Sequence, residues 1–295
     1  MLFDFHTHTQ PTVEAADEFF SWLTPRPRLN SGSLEELFQR MEAVGVSRTL
    51  IVPWLPAQDL VEARVAKGEL REAARLAVID KWRELNAWAA HTASAHPDRI
   101  TTIVGVDPVL MTPDEVETEV ALRLSQGASG VKIAPMFLGV TADDPKLRIV
   151  WELARAHKVF VLSECGARGH DGHQPWGAPR FFDEICRAYP DVVIQLAHLG
   201  WGAEEDTARL THTYPNIYAD LSLRLAGLDQ PGEWTSDQML RCIRDIGADR
   251  VIYGTNYPIV DVFKFRAVFD ALDLTAEERE LISWKNAARV LGQPE

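Results

Sequence analysis

The sequence is poor in cysteine and in basic residues, and each shortage excludes a class of protein. Its three cysteines, Cys165, Cys186 and Cys242, are widely spaced and odd in number, so we expect reduced thiols in a cytoplasmic protein rather than a disulfide framework. Thirty Lys and Arg stand against 43 Asp and Glu, which gives a formal net charge of −13. That charge argues against nucleic-acid and anionic-membrane partners, which attract basic surfaces. It does not exclude a small anionic substrate.

Three further sequence signals are missing. No stretch is long and apolar enough to predict a membrane span. The first residues lead directly into a strand pattern, so we expect no signal peptide. No Gly-x-Gly-x-x-Gly turn follows the first strand, which leaves a dinucleotide-binding sheet without support. We therefore expect a small-molecule substrate, and the sequence does not determine whether the chain forms a homo-oligomer.

Short apolar segments alternate with helical sequence along the whole chain. The predicted strands cover residues 2–8, 49–52, 100–106, 130–133, 159–163, 192–197, 217–221 and 251–254. Eight mostly apolar strands, each followed by helical sequence, favour a closed (β/α)₈ TIM barrel over the alternative, an open doubly wound sheet. A length of 295 residues fits one such barrel, so residues 1–295 are predicted to form a single α/β domain.

Local signals place the helices between these strands. Ser33 and Glu36 have the spacing of a capping box, and Gly45 is predicted to end the helix that follows. Residues 10–32, rich in Pro, Trp and Arg, are predicted to form a long loop. The helical sequence over 58–95 is long enough for two helices or for a helix with an insertion. Later helices are predicted to begin at 112 and 144 and to cover 179–188, 203–213, 236–246, 261–271 and 276–290.

Polar side chains follow most of the predicted strands. They are His6, His8, Lys132, Glu164, His198, Asp220 and Asn256. In a (β/α)₈ barrel the carboxyl ends of the strands meet at one mouth, so we expect these side chains to converge. Regular alternation along the first strand predicts Asp4, His6 and His8 on one face, where two imidazoles can hold a divalent metal. An isolated His-x-His is more often an ordinary strand end. The prediction therefore depends on the polar residues that follow several strands, taken together.

These motifs resemble those of the amidohydrolase superfamily, in particular the amidohydrolase-related branch that includes aminocarboxymuconate semialdehyde decarboxylase. The matching stretches are residues 4–8, 130–133, 197–200, 254–258 and 286–292, which extend over nearly the whole chain. The resemblance implies a (β/α)₈ barrel with a catalytic divalent metal, usually zinc. It also implies that His6 and His8 are metal ligands and that His198 polarises the substrate or assists proton transfer.

Two positions depart from the family pattern. Glu164 stands where the family usually has a histidine ligand, and a carboxylate can replace an imidazole on zinc. Asn256 stands where the family has aspartate. An amide oxygen can ligate a metal weakly or orient water, but it cannot accept a proton at neutral pH. The sequence does not distinguish a natural asparagine from one introduced in place of aspartate.

Four further residues are candidates for substrate binding, and each has a structural alternative. Lys132 could bind a substrate carboxylate, form an ion pair with Glu164, or be carboxylated. Arg168 and Arg224 could grip a carboxylate with two hydrogen bonds or could be surface charges. Trp176 could line the pocket or cover the core. The loop over 166–173 adds two histidines that could supply a ligand or remain solvated.

The residues and the resemblance together predict a metal-dependent hydrolase acting on a small organic acid, amide or lactone. The metal, on His6, His8, Glu164 and Asn256, would activate water, with His198, Glu164 and Asn256 as catalytic groups. Non-oxidative decarboxylation at the same metal is the first alternative. The second is a barrel that has lost its chemistry and serves in binding or structure. A metal-dependent nuclease is disfavoured by the acidic charge.

Overall fold

The computed structural model of the chain describes residues 1–20, 29–167 and 175–294. The strands of the described residues, all parallel, are β1 (Phe3–Thr7), β2 (Arg48–Ile51), β3 (Ile100–Thr102), β4 (Val104–Gly105), β5 (Gly130–Ile133), β6 (Phe160–Ser163), β7 (Ile194–Leu196), β8 (Ile217–Asp220) and β9 (Val251–Ile252).

Helices of the described residues surround these strands. The α-helices, α1 to α13 in chain order, are Val13–Phe20, Leu34–Val44, Ala57–Ala66, Arg71–Ala95, Pro113–Ser125, Pro135–Leu138, Arg148–His157, Asp183–Ala188, Glu204–Thr213, Ser236–Ile246, Val262–Ala271, Ala276–Glu280 and Asn286–Val290. Short 3₁₀ segments lie at Pro145–Leu147, Pro179–Phe182 and Ala197–Gly200, and Leu281–Lys285 is π-helical. Across the described ranges, no helix is both long and apolar enough to cross a membrane.

The strands close into a (β/α)₈ barrel, which confirms the predicted fold class. The third predicted strand is interrupted at Ile103, so that β3 pairs with β2 and β4 pairs with β5. The first and last strands are joined by main-chain hydrogen bonds. The amide of Phe5 donates to the carbonyl of Tyr253 over 2.9 Å, and the amide of Asn256 donates to that of His6 over 2.8 Å.

Two apolar layers hold the barrel together. One lies between the strands and the surrounding helices, and the other fills the barrel below its mouth. In the inner layer the ring of Phe5 lies 4.9 Å from that of Phe3 and 5.6 Å from that of Phe160, measured between centroids. Burial of these large side chains stabilises the barrel and gives the polar groups above them a rigid floor.

A β-bulge in β1 changes the direction of its side chains. Asp4 pairs with Thr49 and Thr7 pairs with Ile51, so three residue steps on β1 lie opposite two steps on β2. Phe5 therefore packs into the barrel interior, while the adjacent His6 contacts Asp220 at the mouth. The prediction that regular alternation places Asp4 on the face of His6 is wrong, because the bulge interrupts the period of two.

The prediction of a loop over 10–32 is also wrong in part. Residues 13–20 form α1, which begins where the hydroxyl of Thr12 accepts a hydrogen bond from the amide of Ala15. This helix forms because its buried residues recur at helical spacing; they are Ala16, Phe19 and Phe20. Residues 21–28 lie outside the described residues.

The other helix signals are largely confirmed. The 58–95 segment contains two helices, α3 and α4, and Gly45 ends α2 with a φ of 72°. The hydroxyl of Ser33 accepts a hydrogen bond from the amide of Glu36, as predicted. The carboxylate of Glu36, however, does not return to the Ser33 amide. It accepts hydrogen bonds from the amides of residues 31 and 32 and from the Tyr257 hydroxyl, which anchors the chain just after Asn256.

Candidate active site

His6 and His8 converge at the barrel mouth, as predicted. Their Nε2 atoms lie 3.2 Å apart, and both side chains are buried. The Nδ1 atom of His8 lies 2.9 Å from the carbonyl oxygen of Val52. A carbonyl can only accept, so the hydrogen of the neutral His8 ring is on Nδ1 and its Nε2 carries a lone pair.

The same reasoning applies to His6. Its Nδ1 atom lies 2.9 Å from Oδ2 of Asp220. Burial by itself would raise the pKa of Asp220, but the charge that His6 and His198 carry when protonated at low pH, together with hydrogen bonds from His6 and Ser222, holds it below its ordinary value. Asp220 is therefore a carboxylate that only accepts, and the hydrogen of His6 is on Nδ1. The Nε2 lone pair of His6 points at that of His8.

Two lone pairs facing each other at 3.2 Å repel unless a cation lies between them. Two nitrogens bound to one tetrahedral zinc ion, each ~2.0–2.1 Å from the metal, are about 3.3 Å apart. The paired Nε2 atoms therefore fit a divalent metal. Within the described parts of the chain, however, no three His, Cys, Asp or Glu side chains form a metal-holding group, so the predicted set with Glu164 is not assembled.

Asn256 supplies a further oxygen at this mouth. Its side chain is 3% exposed, and none of the described residues donates a hydrogen bond to its Oδ1. The residue has a φ of 68°, a left-handed conformation that asparagine tolerates better than most residues. A buried amide oxygen without a donor is costly unless it meets a ligand or an ion.

His198 lies against His6, with ring centroids 5.5 Å apart and planes 20° from parallel. Its Nδ1 atom is 3.0 Å from the carbonyl of Ser222, so Nε2 again carries the lone pair. Burial lowers the pKa of His198 to about 3; His6 and Lys132 add to that effect, and Asp220 opposes it. His198 is therefore a neutral imidazole at pH 7 and accepts hydrogen bonds at Nε2.

Glu164 and Lys132 are buried ionisable groups of the same mouth. Burial raises the pKa of Glu164 to about 7, while Lys132 and the amide of Met136 oppose that shift. Burial lowers the pKa of Lys132 to about 8, opposed mainly by Glu164. In the described ranges Lys132 forms no ion pair within 4.0 Å, so the expected alternative of a direct Glu164–Lys132 salt bridge is not formed. Within the parts of the chain that the structure describes, Oε2 of Glu164 has no hydrogen-bond partner.

The predicted substrate-binding residues differ in their surroundings. Arg224 already pairs with Glu204 over 2.7 Å, and its guanidinium lies 4.7 Å from the ring centroid of Trp234. Trp176 is half-buried in the turn next to Gly177, where an added Cβ would come within 2.8 Å of Glu164 Oε2. Arg168 and the two histidines of its loop lie outside the described residues.

Asp4 acts on the backbone of the site rather than on its imidazoles. Its carboxylate accepts hydrogen bonds from the amide and the hydroxyl of Thr255, over 2.9 and 2.6 Å, and from the amide of His6 over 3.3 Å. Burial raises the pKa of Asp4 to about 7, against the effect of those hydrogen bonds. The carboxylate therefore ties β1 to the segment that carries Asn256.

Sequence reasoning missed two parts of the site. Asp220 was recognised only as a strand exit, and Ser222, two residues later, was not considered. The second part is an aromatic wall beside His8, of which the sequence indicates only Trp54, as a loop residue that could line the pocket or cover the core. The ring of Trp54 lies 6.4 Å from that of His8 and 4.5 Å from that of Phe137, and the ring of Phe19 lies 6.5 Å from that of His8. No sequence spacing links these three aromatic residues, because each follows a different strand.

Comparison with known structures identifies related folds. An uncharacterised TIM-barrel protein from Bordetella bronchiseptica is 19% identical, with a TM-score of 0.74, and 99% of this chain aligns with 98% of that one. The 2,6-dihydroxybenzoate decarboxylase from Rhizobium is 18% identical, with a TM-score of 0.70 and coverage of 99% and 98%. A dihydroxybenzoic acid decarboxylase from Polaromonas, bound to manganese and the inhibitor 2-nitroresorcinol, is 19% identical, with a TM-score of 0.67 and coverage of 99% and 96%.

These identities are low, so the structural matches establish similarity of fold. No curated protein sequence matches the chain. The family model of the amidohydrolases, in contrast, matches residues 4–293, from the β1 segment before the paired histidines to three residues beyond the last helix. The resemblance inferred from the strand-end motifs is thereby confirmed, and the chain belongs to the amidohydrolase family.

Proposed function

We propose that this protein is a metal-dependent, non-oxidative decarboxylase of a small hydroxylated aromatic acid. The observation that carries the proposal is the pair of unprotonated Nε2 atoms of His6 and His8, 3.2 Å apart in a buried site. Two similar structures are decarboxylases of dihydroxybenzoic acids, and one of them binds manganese. The aromatic wall of Phe19, Trp54 and Phe137 beside His8 suits a planar aromatic substrate.

His6 and His8 would hold the metal, with Asn256 Oδ1 as a third donor. When bound, a divalent cation supplies positive charge that polarises a substrate carboxylate and a neighbouring oxygen. Imidazole and amide donors suit several divalent metals. Zinc, the metal expected from the resemblance, and manganese, seen in a similar structure, are therefore both tested below.

Glu164 is proposed as the proton donor. In a non-oxidative decarboxylation the C–C bond to the carboxylate breaks, CO₂ leaves, and the electron pair left on carbon takes up a proton. A carboxyl group whose pKa is raised to about 7 still holds a proton near neutral pH. Its Oε2, which has no hydrogen-bond partner among the described residues, leaves that proton free for transfer.

The remaining polar groups bind the substrate in this proposal. Lys132 remains largely protonated at neutral pH and offers a cation to a carboxylate. His198 accepts a hydrogen bond from a ring hydroxyl at its Nε2 lone pair. Trp176 lies beside Gly177 at the Glu164 side of the mouth. A direct grip by Arg224 would require it to exchange its contact with Glu204, and substrate binding by Arg168 stays a prediction.

Hydrolysis, the first expectation from the sequence, has less support. A hydrolase needs a base to deprotonate the attacking water, and the strand-8 position that supplies it in the family is Asn256 here. The neutral His198 can accept a proton, but its low pKa makes it a weak base, which leaves Glu164, with a pKa of about 7, as the stronger acceptor at this mouth.

The test uses the purified protein loaded with Mn²⁺ or Zn²⁺ and a panel of mono- and dihydroxybenzoates. We expect release of CO₂ and, in D₂O, one deuterium at the carbon that lost the carboxylate. Glu164→Gln should lower kcat at least about 100-fold, whereas the same substitution at the exposed Glu184 should not change it. Turnover of amide or lactone substrates without CO₂ release would support the hydrolase instead. A metal-free protein with no turnover would support a binding role.

A further inference from the structure

We infer that Asp220 is a positioning residue that selects the tautomer of His6 and so creates the paired lone pairs at the barrel mouth. The side chain is completely buried at the end of β8. It therefore touches no substrate and acts through the groups bonded to it. The inference concerns the metal-free protein, and only the metal measurement below rests on the proposed function.

Both oxygens of Asp220 are saturated with donors. Oδ2 accepts from His6 Nδ1 over 2.9 Å and from the Gln195 amide group over 2.7 Å. Oδ1 accepts from the main-chain amides of His198 and Ser222, over 3.1 and 3.0 Å, and from the Ser222 hydroxyl. A carboxylate is the side chain that can accept at both oxygens simultaneously.

The Ser222 hydroxyl, which has a single hydrogen, links Asp220 to His198. Because that hydrogen is donated to Asp220, the hydroxyl oxygen is left to accept, and it lies 2.7 Å from Nδ1 of His198. Nδ1 of His198 therefore carries hydrogen and donates to Ser222. The carbonyl of Ser222, 3.0 Å from the same Nδ1, requires the same tautomer of His198. Asp220 thus fixes His6 directly and supports the tautomer of His198 through the hydroxyl, and both rings expose Nε2 lone pairs.

Replacement of Asp220 by asparagine tests this arrangement, because an amide accepts at one oxygen only. The main-chain N–H groups of His198 and Ser222 are held in place by the backbone. They would therefore keep donating to the side-chain oxygen of the new asparagine. The NH₂ group would then face His6 Nδ1, which must become an acceptor. The hydrogen of His6 would move to Nε2, where it would donate to Nε2 of His8 across the present 3.2 Å gap. One nitrogen of the pair would no longer be available to a metal.

The direct measurement is the ¹⁵N spectrum of the histidine side chains in the metal-free, substrate-free protein. Signals are assigned by their loss in His6→Ala, His8→Ala and His198→Ala. In the unmodified protein we expect all three rings to carry hydrogen on Nδ1. In Asp220→Asn we expect His6 to carry it on Nε2. Asp107→Asn, a matched substitution of a buried carboxylate away from the histidines, should leave all three rings unchanged.

The second measurement is calorimetric titration with Zn²⁺ and with Mn²⁺. Loss of a group that orients a metal-binding imidazole lowers affinity about 10–100-fold, and we expect that loss in Asp220→Asn but not in Asp107→Asn. Ser222→Ala removes a hydroxyl that lies 3.2 Å from His6 Nδ1 but keeps the shorter Asp220–His6 contact of 2.9 Å, so it should keep the His6 tautomer.

Two results would overturn the inference. One is hydrogen on Nε2 of His6 in the metal-free unmodified protein, a measurement that does not depend on any Asp220 variant folding. The other is a change of His6 tautomer in Ser222→Ala with Asp220 in place. Absence of decarboxylation leaves the inference standing, because these spectra are recorded without metal or substrate.

Discussion

At the scale of single residues, the site is defined by which atoms carry hydrogen. His6, His8 and His198 each donate the Nδ1 hydrogen to a fixed acceptor, so each presents an unprotonated Nε2. Residue identity gives the imidazole, but the acceptor decides its tautomer. The surroundings also decide the role of Asn256, because its Oδ1 is buried, receives no hydrogen bond from the described residues, and is therefore suited to a cation.

Asn256→Asp should strengthen metal binding. The substitution replaces a neutral oxygen with an anionic one at nearly constant shape, and aspartate also tolerates the left-handed backbone. We expect affinity for Zn²⁺ or Mn²⁺ to rise by at least about tenfold, measured by competition with a chelating dye. Asn256→Ala, which removes the oxygen, should lower the affinity. Equal affinities in all three proteins would show that Oδ1 does not face the ion.

At the scale of elements, the barrel mouth depends on short irregular segments rather than on the strands. The bulge in β1 directs Phe5 and His6 into the barrel together, and the left-handed residues at 198 and 256 turn the chain sharply after β7 and β9. Asp4 and Thr255 then join the first and last of these segments.

Thr255→Val should destabilise the protein measurably. Valine keeps the shape but leaves one oxygen of the buried Asp4 and the amide of Tyr257 without their present partner. An unsatisfied buried group costs about 1–3 kcal/mol, so we expect at least about 2 kcal/mol less free energy of unfolding in a urea titration. Thr213→Val, at an exposed helix end, should change it by less than about 0.5 kcal/mol. Equal effects of the two substitutions would contradict the Asp4–Thr255 link.

The turn after β4 should give the protein a distinct pH dependence. Asp107 is buried and accepts hydrogen bonds from the amides of Val109 and Leu110 and from Gln58. Burial raises its pKa from 3.8 to about 6, against those bonds. Between these pH values the unfolded chain is ionised and the folded chain is not, so stability falls as pH rises from about 4 to 6.

Comparison with Asp107→Asn isolates this effect. The difference in free energy of unfolding between the two proteins should shift by up to about 3 kcal/mol over that pH range, with the unmodified protein losing stability as pH rises. Urea titrations at several pH values measure the difference. A difference that stays constant from pH 4 to 7 would show that Asp107 has the same pKa in the folded and unfolded states.

At the scale of the whole molecule, the barrel closes through its main chain. Hydrogen bonds between Phe5 and Tyr253 and between Asn256 and His6 join the first and last strands without using a side chain of the site. The three cysteines are free and buried, as expected from their spacing. A cytoplasmic location and the oligomeric state stay predictions.

Removal of metal should therefore leave the fold intact. Dialysis against a chelator should not change the far-UV circular dichroism spectrum, because strand pairing and core packing do not use the metal. Metal restored at 100 times its dissociation constant should add about 2.7 kcal/mol to the free energy of unfolding by mass action. Loss of secondary structure on chelation would contradict this, as would an unchanged melting temperature on metal addition.

The fold could be predicted from the sequence because the periodic spacing of apolar residues in strands and helices is a local property. Sequence reasoning also reached the paired histidines and Asn256, because residues at strand ends share the mouth of a barrel. It failed at α1, where the Pro- and Trp-rich composition of residues 10–32 concealed a buried helical spacing. It also failed at Asp4, since a bulge leaves no local pattern in the sequence.

By itself, the sequence determined the barrel, its family and the set of ionisable groups that follow the strands, because these depend on residue types and on their periodic spacing. Only the tertiary structure decided how those groups act. It surrounded Asp220 with donors from three strand ends, which turned His6 and His198 to present lone pairs, and it left Glu164 without a direct ion pair to Lys132. Tautomers and pKa values depend on distances between residues remote in the chain, and the fold alone sets those distances.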